Sequence, residues 1–175
     1  MKQSFWISLI CVAMASSVFA QDRTKSHTAL VKGMSLFRQA KYQAAIKSFE
    51  QSIMFDSTNY DAWLKRGFVR GILGDFEGEK NDYDFVISHA PDHSHAYVSR
   101  GSAFSRLNNV ESAMADFNTA IQLDPENQEA YNNRGFAKKA MGDKLGACAD
   151  WEESKRLGNK EAIIILKNNY CQHEK

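Results

Sequence analysis

Residues Ser94–Asn127 read SHAYVSRGSAFSRLNNVESAMADFNTAIQLDPEN. Tyr97 and Gly101 stand four apart, and Ala113, Phe117 and Ala120 follow at steps of four and three, the spacing that puts side chains on one face of a helix. Asn108-Asn109 breaks the pattern in the middle and Pro125 near its end. The stretch therefore predicts two helices, 94–107 and 110–123, folded back through a short turn. It is 34 residues long, and its glycine is one of four at that interval: Gly33, Gly67, Gly101 and Gly135. A glycine inside a helix costs roughly 1 kcal/mol relative to alanine. Four such costs at one period point to a shared cause, most simply helices that approach too closely for a side chain. Thirty-four residues is also the length of a helix–turn–helix unit that stacks on its neighbours.

Other columns keep the same period. Four residues before each glycine stand Ala29, Trp63, Tyr97 and Tyr131. Twelve after it stand Ala45, Glu79, Ala113 and Ala147, and sixteen after it Phe49, Tyr83, Phe117 and Trp151. Pro91 and Pro125 close the second and third units. On these columns the chain, from about Ser26 to Glu161, resembles the tetratricopeptide repeat (TPR) family. The first unit departs from the pattern in lacking the aromatic and the proline. The second has Glu79 where the family has a small residue, which questions the packing of its second helix. The fourth has Asn159 in place of the proline.

The resemblance implies an all-α fold: a right-handed α-solenoid of four helix–turn–helix units over 26–59, 60–93, 94–127 and 128–161, closed by a capping helix and tail over 162–175. The helices read as 27–39 with 42–54, 60–73 with 76–89, 94–107 with 110–123 and 128–141 with 144–157, followed by a last one near 160–172. Terminal units of such stacks need a polar outer face, and Lys160, Glu161, Lys167 and Asn168 supply one opposite the apolar run 162–166. Arg66, Arg100 and Arg134 repeat with the glycines, as do Asp82, Asp116 and Asp150. Pairing between the two columns across packed helices is the structural reading, and such pairs set register more than they add stability.

In the family the first helices of successive units line a concave groove that holds an extended peptide or a partner's helix. Carried onto this chain, the groove is Leu30, Met34, Leu64, Phe68, Val98, Ser102, Asn132, Asn133 and Phe136, largely in i, i+4 pairs. Its first half is apolar, and exposed apolar patches mark interaction sites; the alternative is that neighbouring helices cover these residues as core. Some family members grip a C-terminal carboxylate with lysines and asparagines on successive first helices. Leu30 and Met34 cannot donate to a carboxylate, so no such clamp is expected. Asn132 and Asn133 have the chemistry to hydrogen-bond a peptide backbone.

The 175-residue chain has a formal net charge of +1. No large basic excess is present to neutralise phosphates, which disfavours nucleic acid as a partner. The first twenty residues read as a signal peptide: Lys2, a mostly apolar stretch over 5–15, and Val18-Phe19-Ala20 before a cut after Ala20. Residues 21–25 read as a disordered leader. The expected mature protein is exported, periplasmic or secreted, without stable membrane insertion once the signal is removed. Cys148 and Cys171 then remain as an even pair in an oxidising compartment. They lie about equally far on either side of the turn at 157–159, which puts them opposite each other on antiparallel helices and predicts a disulfide; two buried thiols are the alternative.

No phosphate-binding loop and no catalytic triad pattern stands out, and the carboxylates are spread as on solvated helical faces. The expected protein is non-enzymatic, with no cofactor and no catalytic residue. His89, His93 and His95, with Asp92, are the one set with metal-binding chemistry, although turns between units are polar in any case. The expected function is a protein–protein interaction scaffold of the cell envelope that binds a partner peptide or helix. A periplasmic metal-binding protein and an accessory subunit of an envelope enzyme are the alternatives.

Overall fold

A computed structural model describes residues 21–168 and 171; the expected signal peptide, 1–20, lies outside them. Among the described residues the structure is all-α, with nine helices and no strand. They are α1 (21–38), α2 (Tyr42–Phe55), α3 (Tyr60–Ile72), α4 (Phe76–His89), α5 (Ser94–Arg106), α6 (Val110–Leu123), α7 (Gln128–Ala140), α8 (Lys144–Arg156) and α9 (Lys160–Lys167). The interior helices begin and end within about a residue of the sequence reading. The outer two differ. Residues 21–25, expected as a leader, are helical. Ser26, in the next turn, is buried, its hydroxyl 2.9 Å from that of Ser52 and accepting from the Asn59 amide at 3.0 Å. At the other end α9 stops at Lys167 rather than running on to 172.

Within each repeat the turn between its two helices is the same device. Ala40, Gly74, Asn108 and Gly142, 34 apart, all take a positive φ, between 56° and 82°. The amide of the following residue then reaches back to a carbonyl five residues earlier, Lys41 to Leu36 and Asp75 to Arg70 at 3.0 Å, Asn109 to Phe104 and Asp143 to Lys138 at 2.9 Å. This closes the end of one helix. The same residue opens the next: the side chains of Asp75, Asn109 and Asp143 accept from the amides of Gly78, Ser112 and Gly146. A side-chain acceptor there satisfies an otherwise orphaned amide. Lys41 holds this register in the first repeat and makes no side-chain cap. Ala40 also carries a β-carbon in the left-handed region, which costs roughly 1–2 kcal/mol. Glycine relieves that cost and returns part of it as extra freedom of the unfolded chain. Ala40→Gly is therefore expected to raise stability by about 0.5–1 kcal/mol, read as an increase in urea midpoint at unchanged slope. A decrease would show that the turn gains nothing from glycine.

The chain forms two compact bodies, one ending at Val69 and the other beginning at Arg70. In the N-terminal body Leu30, Ala45, Phe49, Ala62 and Val69 form the buried core, with Met34, Leu36, Phe37 and Ile53 packed at its edge. The Phe49 ring lies on α1, so a β-carbon at Gly33 would stand 2.5 Å from it.

In the C-terminal body each helix packs on its neighbours in chain order, α4 on α5 through to α8 on α9, and α5 also touches α7. Hairpins thus stack in sequence order, with first helix against first helix. The glycine column has the same cause as at Gly33. A β-carbon at Gly101 would meet the Phe117 ring at 2.7 Å, and one at Gly135 the Trp151 indole at 2.6 Å. The close approach is of an aromatic ring to a helix, and the ring comes from the column sixteen residues on.

The charged columns meet as well. Arg100 donates to both oxygens of Asp116, at 2.7 and 2.8 Å, and its third nitrogen donates to Asp84 at 2.8 Å. Arg134 repeats this with Asp150, at 2.7 and 2.8 Å, and with Asn118 at 2.8 Å. In the N-terminal body Arg66 lies 4.0 Å from Glu50. Glu50, Asp84 and Asn118 thus form a further column at the 34-residue interval. Each arginine is held from its own repeat or from the one before, and the bonds to Asp116 and Asp150 raise the pKa of Arg100 and Arg134. Asp82 accepts from Arg70 at 2.8 Å.

Glu79 shows how the second repeat departs from the pattern. Its carboxyl is buried, and it is accommodated because the facing residue is Gly71, where a β-carbon would stand 2.5 Å from Oε2. Arg106, from the next repeat, donates to Oε1, and the Tyr83 hydroxyl lies 3.3 Å from it. Burial pushes the pKa of Glu79 up against the opposing pull of Arg106. A glycine on one side and an arginine on the other thus replace the small residue of the other repeats.

The last helix is tied down twice. Asn159 caps it, accepting from the amides of Glu161 and Ala162. The Cys148 and Cys171 sulfurs lie at bonding distance, 2.06 Å, beside a cluster of Ala147, Trp151 and Ala162 edged by Ile165 and Leu166.

Candidate partner-binding surface

The nine residues read from the sequence as a groove do not share one fate. Leu30, Leu64 and Val98 are buried core residues, at 8%, 8% and 3% exposure. Their partners one turn later differ. Met34 and Ser102 are half-buried, Phe68 is exposed at 50%, and Phe136, one turn after Asn132, is exposed at 39%. Each of these sits four residues after its counterpart, about 40° further round the helix. That rotation carries the side chain from the packed seam toward solvent.

The asparagines divide in the same way. Asn132 is buried, its amide donating to the Glu161 carboxylate at 2.8 Å. The expectation that it meets a peptide backbone is corrected: its amide nitrogen holds the capping helix. Its backbone carbonyl accepts from the Trp151 indole at 3.2 Å. Asn133 is half-buried and donates to the Ser102 hydroxyl at 3.1 Å, joining the first helices of two repeats. Phe136 packs edge-to-face on Trp151, with centroids 5.4 Å apart.

In the N-terminal body the exposed positions enclose a cleft of about 180 Å³, lined by Met34, Phe37, Arg38, Phe49, Lys65, Phe68 and Val69. Helices α1 and α3 supply the walls, and Phe49 of α2 the floor. Phe37 and Phe68 meet edge-to-face across it, with centroids 5.7 Å apart. The lining is apolar apart from the two cations. Met34 and Phe68 were among the groove residues the sequence supplied, without a sign of which members of the pairs would stay open. Phe37, Arg38 and Lys65 were not, because they stand outside the register that the family resemblance supplies.

The three histidines do not come together, and no group of three or more His, Cys, Asp or Glu side chains among the described residues is placed to hold a metal ion. His89 stacks on Phe85, with Nδ1 2.9 Å from that residue's carbonyl. His95 lies on α5 near Ser99, and its Nε2 is 4.0 Å from Glu129. These contacts of His89 and His95 are local to their own helix or reach the next repeat. Among the described residues no helix is long and apolar enough to cross a membrane.

Comparison with known proteins bears on this arrangement. Residues 27–59 match a family described as tetratricopeptide repeat, and residues 96–142 one described as TPR repeat. Solved structures resemble the chain over most of its length. A thermophilic TPR protein of Thermus thermophilus is 17% identical with a TM-score of 0.70, over 76% of this chain and 74% of that one. The MamA protein is 18% identical with a TM-score of 0.71, over 84% and 79%. The first TPR of Spaghetti (RPAP3), bound to the HSP90 peptide SRMEEVD, is 26% identical with a TM-score of 0.66, over 69% and 95%. No curated protein sequence matches the chain.

Proposed function

From the premise that this chain is a member of the tetratricopeptide repeat family, an α-solenoid of helix–turn–helix units, we propose that it is a non-enzymatic scaffold that holds a partner peptide or helix against the exposed side of its first helices. The observation that carries this reading is the cleft lined by Met34, Phe37 and Phe68, an apolar hollow whose Phe68 ring is half exposed. A small number of aromatic anchors is enough to supply most of an interface's affinity. The RPAP3 domain, which resembles this chain, is bound to a peptide in its structure.

The scaffold works, on this reading, outside the cytoplasm. The signal-like N-terminus supports export, and a disulfide between Cys148 and Cys171 suits an oxidising compartment.

Phe68 provides the test. Its half-exposed ring touches Phe37 and contributes little to the core. Phe68→Ala is expected to leave helix content and melting nearly unchanged and to weaken partner capture from envelope extracts by about 30-fold, the effect of losing one hot-spot residue worth about 2 kcal/mol. A melting temperature that falls steeply instead would assign Phe68 to the core. Equal capture by both proteins would remove the cleft from the interface.

A further inference from the structure

We propose that the buried carboxyl of Glu79 makes the packing of α4 on α5 sensitive to pH, firm while the carboxyl is neutral and weaker once it ionises. At the equivalent positions Ala45, Ala113 and Ala147 are 0% exposed and bring no polar side chain into the interior. Glu79, at 1% exposure, puts a titratable group in the same seam. Its room comes from Gly71, whose equivalents 34 residues apart are Phe37, Ser105 and Lys139. On the scaffold reading α5 carries part of the partner surface, and export would expose this joint to the pH outside the cytoplasm.

The two oxygens of Glu79 are not equally served. Oε1 meets the Arg106 guanidinium of α5, and the Tyr83 hydroxyl lies 3.3 Å from it. Oε2 is buried and has no hydrogen-bond partner among the described residues. Ionisation therefore places charge on an oxygen with no donor beside it, and a buried charge is costly unless it is paired and hydrogen-bonded. The surrounding charges do not remove that cost. Arg70 of α3 is engaged by Asp82 at 2.8 Å and lies 3.8 Å from Asp75. Asp75, at the start of α4, is an anion and opposes a second one. Arg106 and the Tyr83 hydroxyl favour the ionised form, but the Arg106 side chain is 41% exposed and shares its charge with water. Burial outweighs both, and Glu79 holds its proton above the ordinary carboxyl value of 4.5. The contribution of such a group is fully present below that value, where folded and unfolded chains are both protonated. It is lost as pH rises through the folded pKa.

The test follows the urea midpoints of the full chain and of Glu79→Gln from about pH 4 to about pH 8. Where Glu79→Gln fails to fold, Glu79→Ala, the residue of the other repeats, replaces it. Every other titrating group is common to both proteins, so the difference between their profiles isolates Glu79. The gap should be smallest at the acid end, and the wild type should lose ground to the variant as pH rises. Arg106→Gln should steepen that loss in the wild type and leave the slope unchanged in the Glu79→Gln background. In the wild type itself the Glu79 carboxyl carbon, followed by NMR, should titrate above the range of exposed carboxyls. Amide exchange compared at matched pH should place the pH-dependent difference in α4 and α5. Parallel profiles would overturn the inference. So would a wild type that gains on the variant as pH rises, since Arg106 would then be stabilising the ion. A difference spread evenly over α6 to α9 would remove it from this joint. None of these results bears on partner capture by Phe68→Ala, which tests the scaffold reading separately.

Discussion

Replacing Trp151 with alanine is expected to lower stability by about 3–5 kcal/mol, the range for losing a buried tryptophan. Few large side chains in the C-terminal body are enclosed so fully: it is 0% exposed and clustered with Ala147 and Ala162. Its indole covers Gly135, stacks edge-to-face with Phe136 and donates to the Asn132 carbonyl. Gly135, Ala147 and Ala162 have no side chain to swing inward, which leaves Phe136, Ile165 and Leu166 at the edge to fill only part of the vacated space. The cavity should therefore persist, and the energetic cost of a core truncation grows with the cavity that remains. The Asn132 carbonyl also loses its indole donor. In a stack stabilised by nearest-neighbour contacts the loss should fall first on α8 and α9. Amide exchange there should accelerate well before exchange in α5 and α6, and the main melting transition should broaden or split. A loss below about 1 kcal/mol, smaller than any buried tryptophan truncation in that range, would show that the last repeat is held by something other than this ring.

The hairpin fold was legible because its causes are local and repeated. The glycine and the aromatic sixteen residues later belong to one hairpin, and their contact recurs at Gly33–Phe49, Gly101–Phe117 and Gly135–Trp151. A contact that recurs along the chain shows as a column, and the column is readable without coordinates. The arginine–aspartate pairs of the third and fourth repeats were readable for the same reason. The turn column of Ala40, Gly74, Asn108 and Gly142 is equally periodic yet hidden in the sequence, because four residues of three types conceal a shared backbone conformation. The surface was harder. A pair such as Leu30 and Met34 shares a face by spacing, yet a rotation of about 40° separates core from solvent. Sequence spacing does not say which member of the pair faces the next helix. Asn132 was misplaced through that ambiguity. Polar residues 21–25 looked like a leader because the feature behind them, the Ser26–Ser52–Asn59 hydrogen bonds, is a tertiary contact made by short polar side chains.

Opening the Cys148–Cys171 link is expected to cost about 3 kcal/mol. The two residues are 23 apart in sequence, and closing a loop of that size removes roughly this much free energy from the unfolded chain in the entropic account. The structure says where the loss should appear. Helix α9 has eight residues, too few for an isolated helix to persist in water. Of its apolar run Ala162 is fully buried, Ile165 and Leu166 are half-buried and Ile164 is 60% exposed. Packing therefore holds α9 by a narrow stripe, and the crosslink keeps that stripe near α8 while the rest of the helix competes with solvent. Reduction should lower the melting temperature by about 6–12 °C, from 2–4 °C per kcal/mol for a chain of this length. It should also deprotect the α9 amides, including those that Asn159 caps, and a Cys148→Ser, Cys171→Ser variant should melt like the reduced protein. Oxidised and reduced proteins melting together would mean that α9 is held by Ala162, Ile165, Leu166 and the Asn132–Glu161 hydrogen bond alone. The same preparation tests export. Protein recovered from its native compartment with two titratable thiols at these positions would argue against an oxidising destination, whereas a thiol count of zero in the folded chain and two after reduction is the expected result.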